Sequence, residues 1–201
     1  MLDSNLYIPY QKILINPILK LKILKHLHPN LITLFSCLFG IFSFFLIILN
    51  HKYLAISSLL LSGYFDTLDG SIARLTNQKS NLGSVLDIFS DRIVEMLIFI
   101  ALFLVDPQSR AFFTILMLAS SYLCVTSFLV VGIFSQNDGK KSFHYSSGII
   151  ERAEAFIFFI AMIFFEKFFK ILALSYSTLV FLTAFIRIFE FMKNSYSNKL
   201  Q

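Results

Sequence analysis

The chain has 201 residues, of which 57% are hydrophobic, with 25 Phe and no Trp; this apolar share exceeds the roughly 45–50% of ordinary soluble domains and argues against a water-soluble globule. Its formal net charge of +5 is dispersed over the ends of apolar runs with no RNA- or DNA-binding motif among them, so no nucleic-acid partner is expected. Cys37 and Cys124 sit inside apolar runs without a His or Cys neighbour, which argues against a disulfide framework or a zinc site and reads as packing.

Residues 1–30 form a separate juxtamembrane segment. Leu6, Ile8, Ile13, Leu14, Ile18, Leu21 and Leu24 alternate with lysines at roughly helical spacing, the pattern of an amphipathic helix lying in a membrane interface. Pro9 and Pro17 predict that it is kinked or in two parts. Nothing in it resembles a cleaved signal peptide, because lysines and Asp3 interrupt its apolar positions. His28-Pro29-Asn30 then predicts a turn into the first span.

Residues 31–201 read as one all-α, polytopic membrane domain of six transmembrane helices. Runs able to cross a hydrocarbon layer about 30 Å thick extend over Leu31–Leu49, Ile88–Val105, Ala111–Phe134, Ile149–Phe165 and Ile171–Met192. The sixth, Tyr53–Phe65, is too short unless its helix continues through Asp66 to Arg74, whose polar residues must then face the bundle interior or water. With six spans, Lys12, Lys20, Lys22, Lys25, Lys79, Lys140, Lys141, Lys193 and Lys199 fall on one side, against Lys52, Arg110, Lys167 and Lys170 on the other. The positive-inside rule then places both termini and the polar end of the second helix in the cytoplasm.

Four aspartates fall at or inside these apolar helices, in Asp66-Thr-Leu-Asp69-Gly70-Ser-Ile-Ala73-Arg74 and, eight residues on, Gly83-Ser-Val-Leu-Asp87-Ile-Phe-Ser-Asp91. An unpaired acid at membrane depth costs about 2.5 kcal/mol or more, so four together call for a cation. On a helix Asp66, Asp69, Gly70 and Ala73 share one face, and Gly83, Asp87 and Asp91 form a stripe on the next helix. Carboxylates converging from two helices supply the hard oxygen ligands that Mg²⁺ or Mn²⁺ requires, and four acids suit a pair of ions. Gly70, Gly83 and Ala73 leave space for a nucleotide diphosphate against the backbone, while Arg74 offers a fork of donors to phosphate oxygens. Glu95 is a further acid on the Asp91 stripe, with pairing to Arg92 as the plainer reading. Thr67 and Ser71 are read in the same way as bonding their own helix backbone.

The pattern Asp-x2-Asp-Gly-x2-Ala-Arg-x8-Gly-x3-Asp-x3-Asp resembles the signature of the CDP-alcohol phosphotransferase family at every defining position. The resemblance implies that Asp66, Asp69 and Asp87 hold a metal pair, with Asp91 near the second ion and acting as general base. It implies that Asp69, Gly70, Ala73, Arg74 and Gly83 line the cytidine diphosphate site. It further implies a homodimer in a membrane, taken here as a bacterial inner membrane, with CDP-diacylglycerol as donor and a polar alcohol as acceptor.

For the acceptor, Gly148-Ile-Ile-Glu151-Arg152-Ala-Glu154 and Arg187 resemble the phosphatidylinositol-phosphate synthase branch, which makes Arg152 and Arg187 the expected acceptor-binding residues and inositol phosphate or a related polyol the favoured acceptor. Ala155 and Ser135 stand where that branch carries further cations, so serine and glycerol 3-phosphate remain alternatives. Internal pairing of Arg187 with Glu190, and of Arg152 with Glu151 or Glu154, is the competing structural reading. A divalent-cation transporter would also place acids in converging helices, but it has no evident need for Gly70, Ala73, Arg74 and Gly83 at this spacing.

Overall fold

Six α-helices among the described residues follow the order of the apolar runs. The structure, a computed structural model, describes Ile15, residues 28–135 and residues 148–197, the last four of these as backbone only. The amphipathic segment expected over 1–30 and the lysine-bearing loop at 136–147 lie outside the described residues, Ile15 and 28–30 excepted.

The helices are α1 (Pro29–Ile48), α2 (Lys52–Leu75), α3 (Asn81–Val105), α4 (Pro107–Phe134), α5 (Arg152–Phe164) and α6 (Phe169–Ser197), with a 3-10 turn at Glu166–Phe168 before α6. Pro29 opens α1, where a missing N–H costs nothing. Asn50 and Asn77 adopt positive φ of 60° and 54°, and the N–H groups that follow, of His51 and Gln78, bond back to Leu46 and Ala73. Each is thus a left-handed helix stop of the kind asparagine tolerates.

Among the described residues, three segments are long and apolar enough to cross a membrane: Pro29–Ile48, Pro107–Phe134 and Glu166–Lys193. α2 and α3, of 24 and 25 residues, are long enough but carry the acidic residues. As expected, α2 continues unbroken through Asp66 to Arg74. α5 has 13 residues, about 20 Å at ~1.5 Å per residue, and is shorter than the run from Ile149 to Phe165 that hydropathy marks out. Its start is set by a capping box in which Glu151 and Glu154 satisfy each other's backbone N–H.

The chain divides into two compact units, residues 2–110 and 111–201. In the first, α1 packs along both α2 and α3. A ladder of hydroxyls joins the antiparallel pair α1 and α2: Ser43 donates to the Ala55 carbonyl at 3.0 Å, Ser58 to the Phe39 carbonyl at 2.7 Å and Ser36 to the Ser62 carbonyl at 2.8 Å. Gly40 lets α3 approach, since a Cβ there would stand 2.3 Å from Val94. Ile15, Ile32, Leu68 and Ile72 form a buried cluster beneath the polar end of α2. In the second unit Phe158 and Phe159 of α5 pack on Tyr176 of α6, each with ring centroids 5.7 Å away. The Tyr176 hydroxyl lies 3.1 Å from that of Ser121 on α4. Phe35, Phe42, Phe45, Phe112, Phe134, Phe185 and Phe189 all point outward, a surface suited to lipid.

Candidate active site

The last turns of α2 and the first turns of α3 are brought together by a five-residue connection with a defined stop and start. Asn77 ends α2, and the Ser80 hydroxyl accepts the Gly83 N–H at 3.0 Å to cap α3. Asp66 and Asp69, one turn apart on α2, therefore meet Asp87 on α3. One carboxylate oxygen from each lies within 4.8 Å of the others. Asp69 is buried, and Asp66 and Asp87 are half-buried.

Asp91, one turn further along α3, is not in this group, though together with Asp66 and Asp69 it acts electrostatically on Asp87. Asp87 Oδ1 is buried without a hydrogen-bond partner. Three carboxylates held this close repel one another, and the buried, unpartnered oxygen of Asp87 is a group whose burial is costly without a counter-ion or hydrogen bond. An all-oxygen anionic donor set of this kind suits a hard divalent cation such as Mg²⁺ or Mn²⁺.

Beside the triad, a Cβ added to Gly70 would meet only the Arg74 guanidinium, at 3.4 Å. Among the described residues, packing does not demand glycine there. Arg74 is exposed and donates to the Ser71 hydroxyl at 3.1 Å. It has no carboxylate partner among the described residues. Ala73 lies half-buried on the same helix. At Gly83 a Cβ would crowd Ser80 Oγ at 3.1 Å and Asn30 Oδ1 at 3.2 Å, so here the first turn of α1 itself requires a small residue.

Thr67 and Ser71 bond the carbonyls four residues back, at 3.0 and 2.8 Å, and Glu95 pairs with Arg92. Each follows its plainer expectation. One contact has no signal in the local pattern: Thr33 of α1, buried, donates to Asp69 Oδ2 at 2.5 Å.

Arg152 and Arg187 belong to the second unit. Arg187 is 7% exposed, yet it is not paired with Glu190, which is exposed. Its Nη1 lies 3.4 Å from both the carbonyl and the sulfur of Cys124, and its guanidinium covers the Phe128 ring at 5.3 Å. Nε has no partner, so a buried cation retains donor capacity. Gly148 sits against it, with a hypothetical Cβ 3.2 Å from Arg187 Nη2. Arg152 lies over Phe156 at 5.6 Å. Glu151 and Glu154 serve the α5 cap, and Glu151 also accepts the Gly148 N–H at 3.2 Å.

A family model described as CDP-alcohol phosphatidyltransferase matches residues 26–189. Among curated proteins, the chain is similar to the CDP-diacylglycerol–inositol 3-phosphatidyltransferase of Rattus norvegicus, 36% identical over 107 residues that cover 52% of this chain and 50% of that protein. It also resembles the phosphatidylinositol phosphate synthase of Corynebacterium glutamicum, 28% identical over 153 residues that cover 73% of this chain and 67% of that protein. The chain spans about half the length of the first curated relatives it matches. A solved structure of the Mycobacterium tuberculosis phosphatidylinositol phosphate synthase in complex with manganese and citrate superposes with a TM-score of 0.71 at 18% identity, covering 88% of each chain, which shows a shared fold.

Proposed function

The chain belongs to the CDP-alcohol phosphatidyltransferase family, and on that premise we propose that it transfers a phosphatidyl group from CDP-diacylglycerol to a hydroxyl of a polar alcohol, releasing CMP. The observation that carries the reading is the carboxylate triad of Asp66, Asp69 and Asp87 beside the open face of Gly70. In the six-span topology expected from the lysine distribution, this end of α2 and α3 faces the cytoplasm, where nucleotide-activated donors are found.

Asp66, Asp69 and Asp87 would hold the divalent cations, with Asp91 near a second one. When bound, Mg²⁺ or Mn²⁺ neutralises the diphosphate and makes its phosphorus more electrophilic. The diphosphate lies along the backbone at Gly70, Ala73 and Gly83, and Arg74 donates to its oxygens. Asp91 takes the proton of the acceptor hydroxyl as that oxygen bonds to the lipid-side phosphorus. The anhydride bond to CMP breaks, and CMP leaves with the electron pair. Positioning and charge neutralisation account for most of the catalysis, as in other phosphoryl transfers.

Arg152 and Arg187 bind the acceptor, a role that rests on their sequence positions and, for Arg187, on a buried guanidinium with an unused N–H. Inositol or inositol phosphate is the favoured acceptor, in keeping with the names of the rat and corynebacterial relatives, and a homodimer in a bacterial inner membrane is the expected form. The test is CMP release by purified protein in liposomes containing CDP-diacylglycerol and Mn²⁺ or Mg²⁺, offering inositol, inositol phosphate, serine and glycerol 3-phosphate separately. One acceptor giving metal-dependent release and a new lipid supports the proposal. Nucleotide binding without release from any of them would overturn the acceptor assignment.

A further inference from the structure

The fourth rung of the α1–α2 ladder differs from the other three. Ser43, Ser58 and Ser36 each donate to a backbone carbonyl across the interface, whereas Thr33, next along α1, donates to the side chain of Asp69. The ladder fixes the register of the two helices, so the place of the Thr33 hydroxyl is set by packing that extends away from the acidic cluster. Thr33 is itself 5% exposed, and its hydroxyl also lies 3.3 Å from the Pro29 carbonyl. β-branching restricts χ1 and holds the hydroxyl in few orientations.

We infer that Thr33 is a positioning residue for Asp69: by bonding Oδ2 it fixes the rotation of that carboxylate and so sets the geometry that the triad offers to a divalent cation. This rests on the reading of Asp66, Asp69 and Asp87 as a metal site. The physical reason is general. A ligating carboxylate that must stop rotating to bind an ion loses entropy on binding, and an outer hydrogen bond made in advance removes that loss, so that deleting such a partner weakens metal affinity by about 10- to 100-fold. Thr33 lies 36 residues from Asp69 and outside the acidic pattern.

The experiment is Mn²⁺ binding to the full chain in detergent, followed by the loss of free-ion electron paramagnetic resonance signal and so independent of turnover. Four proteins are compared: wild type, Thr33→Val, Thr33→Ser and Ser43→Ala. Val keeps the shape of Thr and removes the hydroxyl, Ser keeps the hydroxyl, and Ser43→Ala deletes a rung of the same ladder far from the carboxylates. Thr33→Val is expected to bind Mn²⁺ about 10-fold or more weakly, with Thr33→Ser and Ser43→Ala close to wild type. Equal affinity of Thr33→Val and wild type would overturn the inference, as would an equal loss in Ser43→Ala, which would assign the effect to helix packing. A wild type that binds no Mn²⁺ would instead defeat the metal-site reading, and this inference with it.

Discussion

Replacing Asp87 by Asn should stabilise the metal-free protein and abolish most of its response to metal. At 4.8 Å, the distance within which one oxygen of each carboxylate lies from the others, two like charges repel by about 3.5 kcal/mol at an effective dielectric near 20. Asp66 and Asp87 are half-buried, so water screens much of this, and a net relief on the order of 2 kcal/mol is expected. For a chain of this length that corresponds to a rise of roughly 4–8 °C in melting midpoint. The new amide also brings an N–H donor to a site crowded with acceptors. Wild type should gain about 2.7 kcal/mol from Mn²⁺ at 100 times its dissociation constant, whereas the variant should gain less than half of that. The assay is thermal melting in detergent, with chelator and with Mn²⁺. A lower midpoint for Asp87→Asn in chelator, or a metal-induced rise equal to that of wild type, would refute the electrostatic argument.

Asp91→Asn should lower turnover by about 10³-fold or more, in line with losing a general base beside a metal site, while CDP-lipid affinity stays within a few-fold; unchanged turnover would remove Asp91 from the base role. Gly70→Ala should not lower the melting midpoint and should raise it by roughly 2–4 °C, because its Cβ would meet Arg74 at ordinary contact distance and Ala favours a helix interior over Gly by about 1 kcal/mol, yet it should weaken CMP binding at least about 10-fold by occupying the space the nucleotide needs. A variant that melts early but binds CMP normally would show that Gly70 serves packing.

The course of the helices was legible in the sequence because hydropathy and the spacing of the acidic motif report on local structure. α2 had to extend through Arg74 for its aspartates to share a face, and it does. The convergence of Asp66, Asp69 and Asp87 followed from the same periodicity. What pattern reading missed was either capping or long-range contact. α5 starts at Arg152 and not at Ile149 because Glu151 and Glu154 form a capping box, a Glu-x-x-Glu signal to which hydropathy is blind. Arg187 and Glu190 have the spacing of an intrahelical pair, but the guanidinium turns to Cys124 and Phe128 on α4, a choice made by tertiary packing. Thr33 meets Asp69 because α1 and α2 pack in a register to which three serine hydroxyls and the contacts of Phe35 and Phe39 with Phe65 contribute. No window of a few residues contains that information.

The central claim, that the triad binds a divalent cation on which the nucleotide depends, is tested most directly by calorimetric titration of CMP into purified wild type and Asp66→Ala, each with Mn²⁺ and with chelator. The account predicts binding by wild type in Mn²⁺ alone, with no binding by Asp66→Ala in either condition. CMP binding that survives both chelation and loss of Asp66 would contradict it.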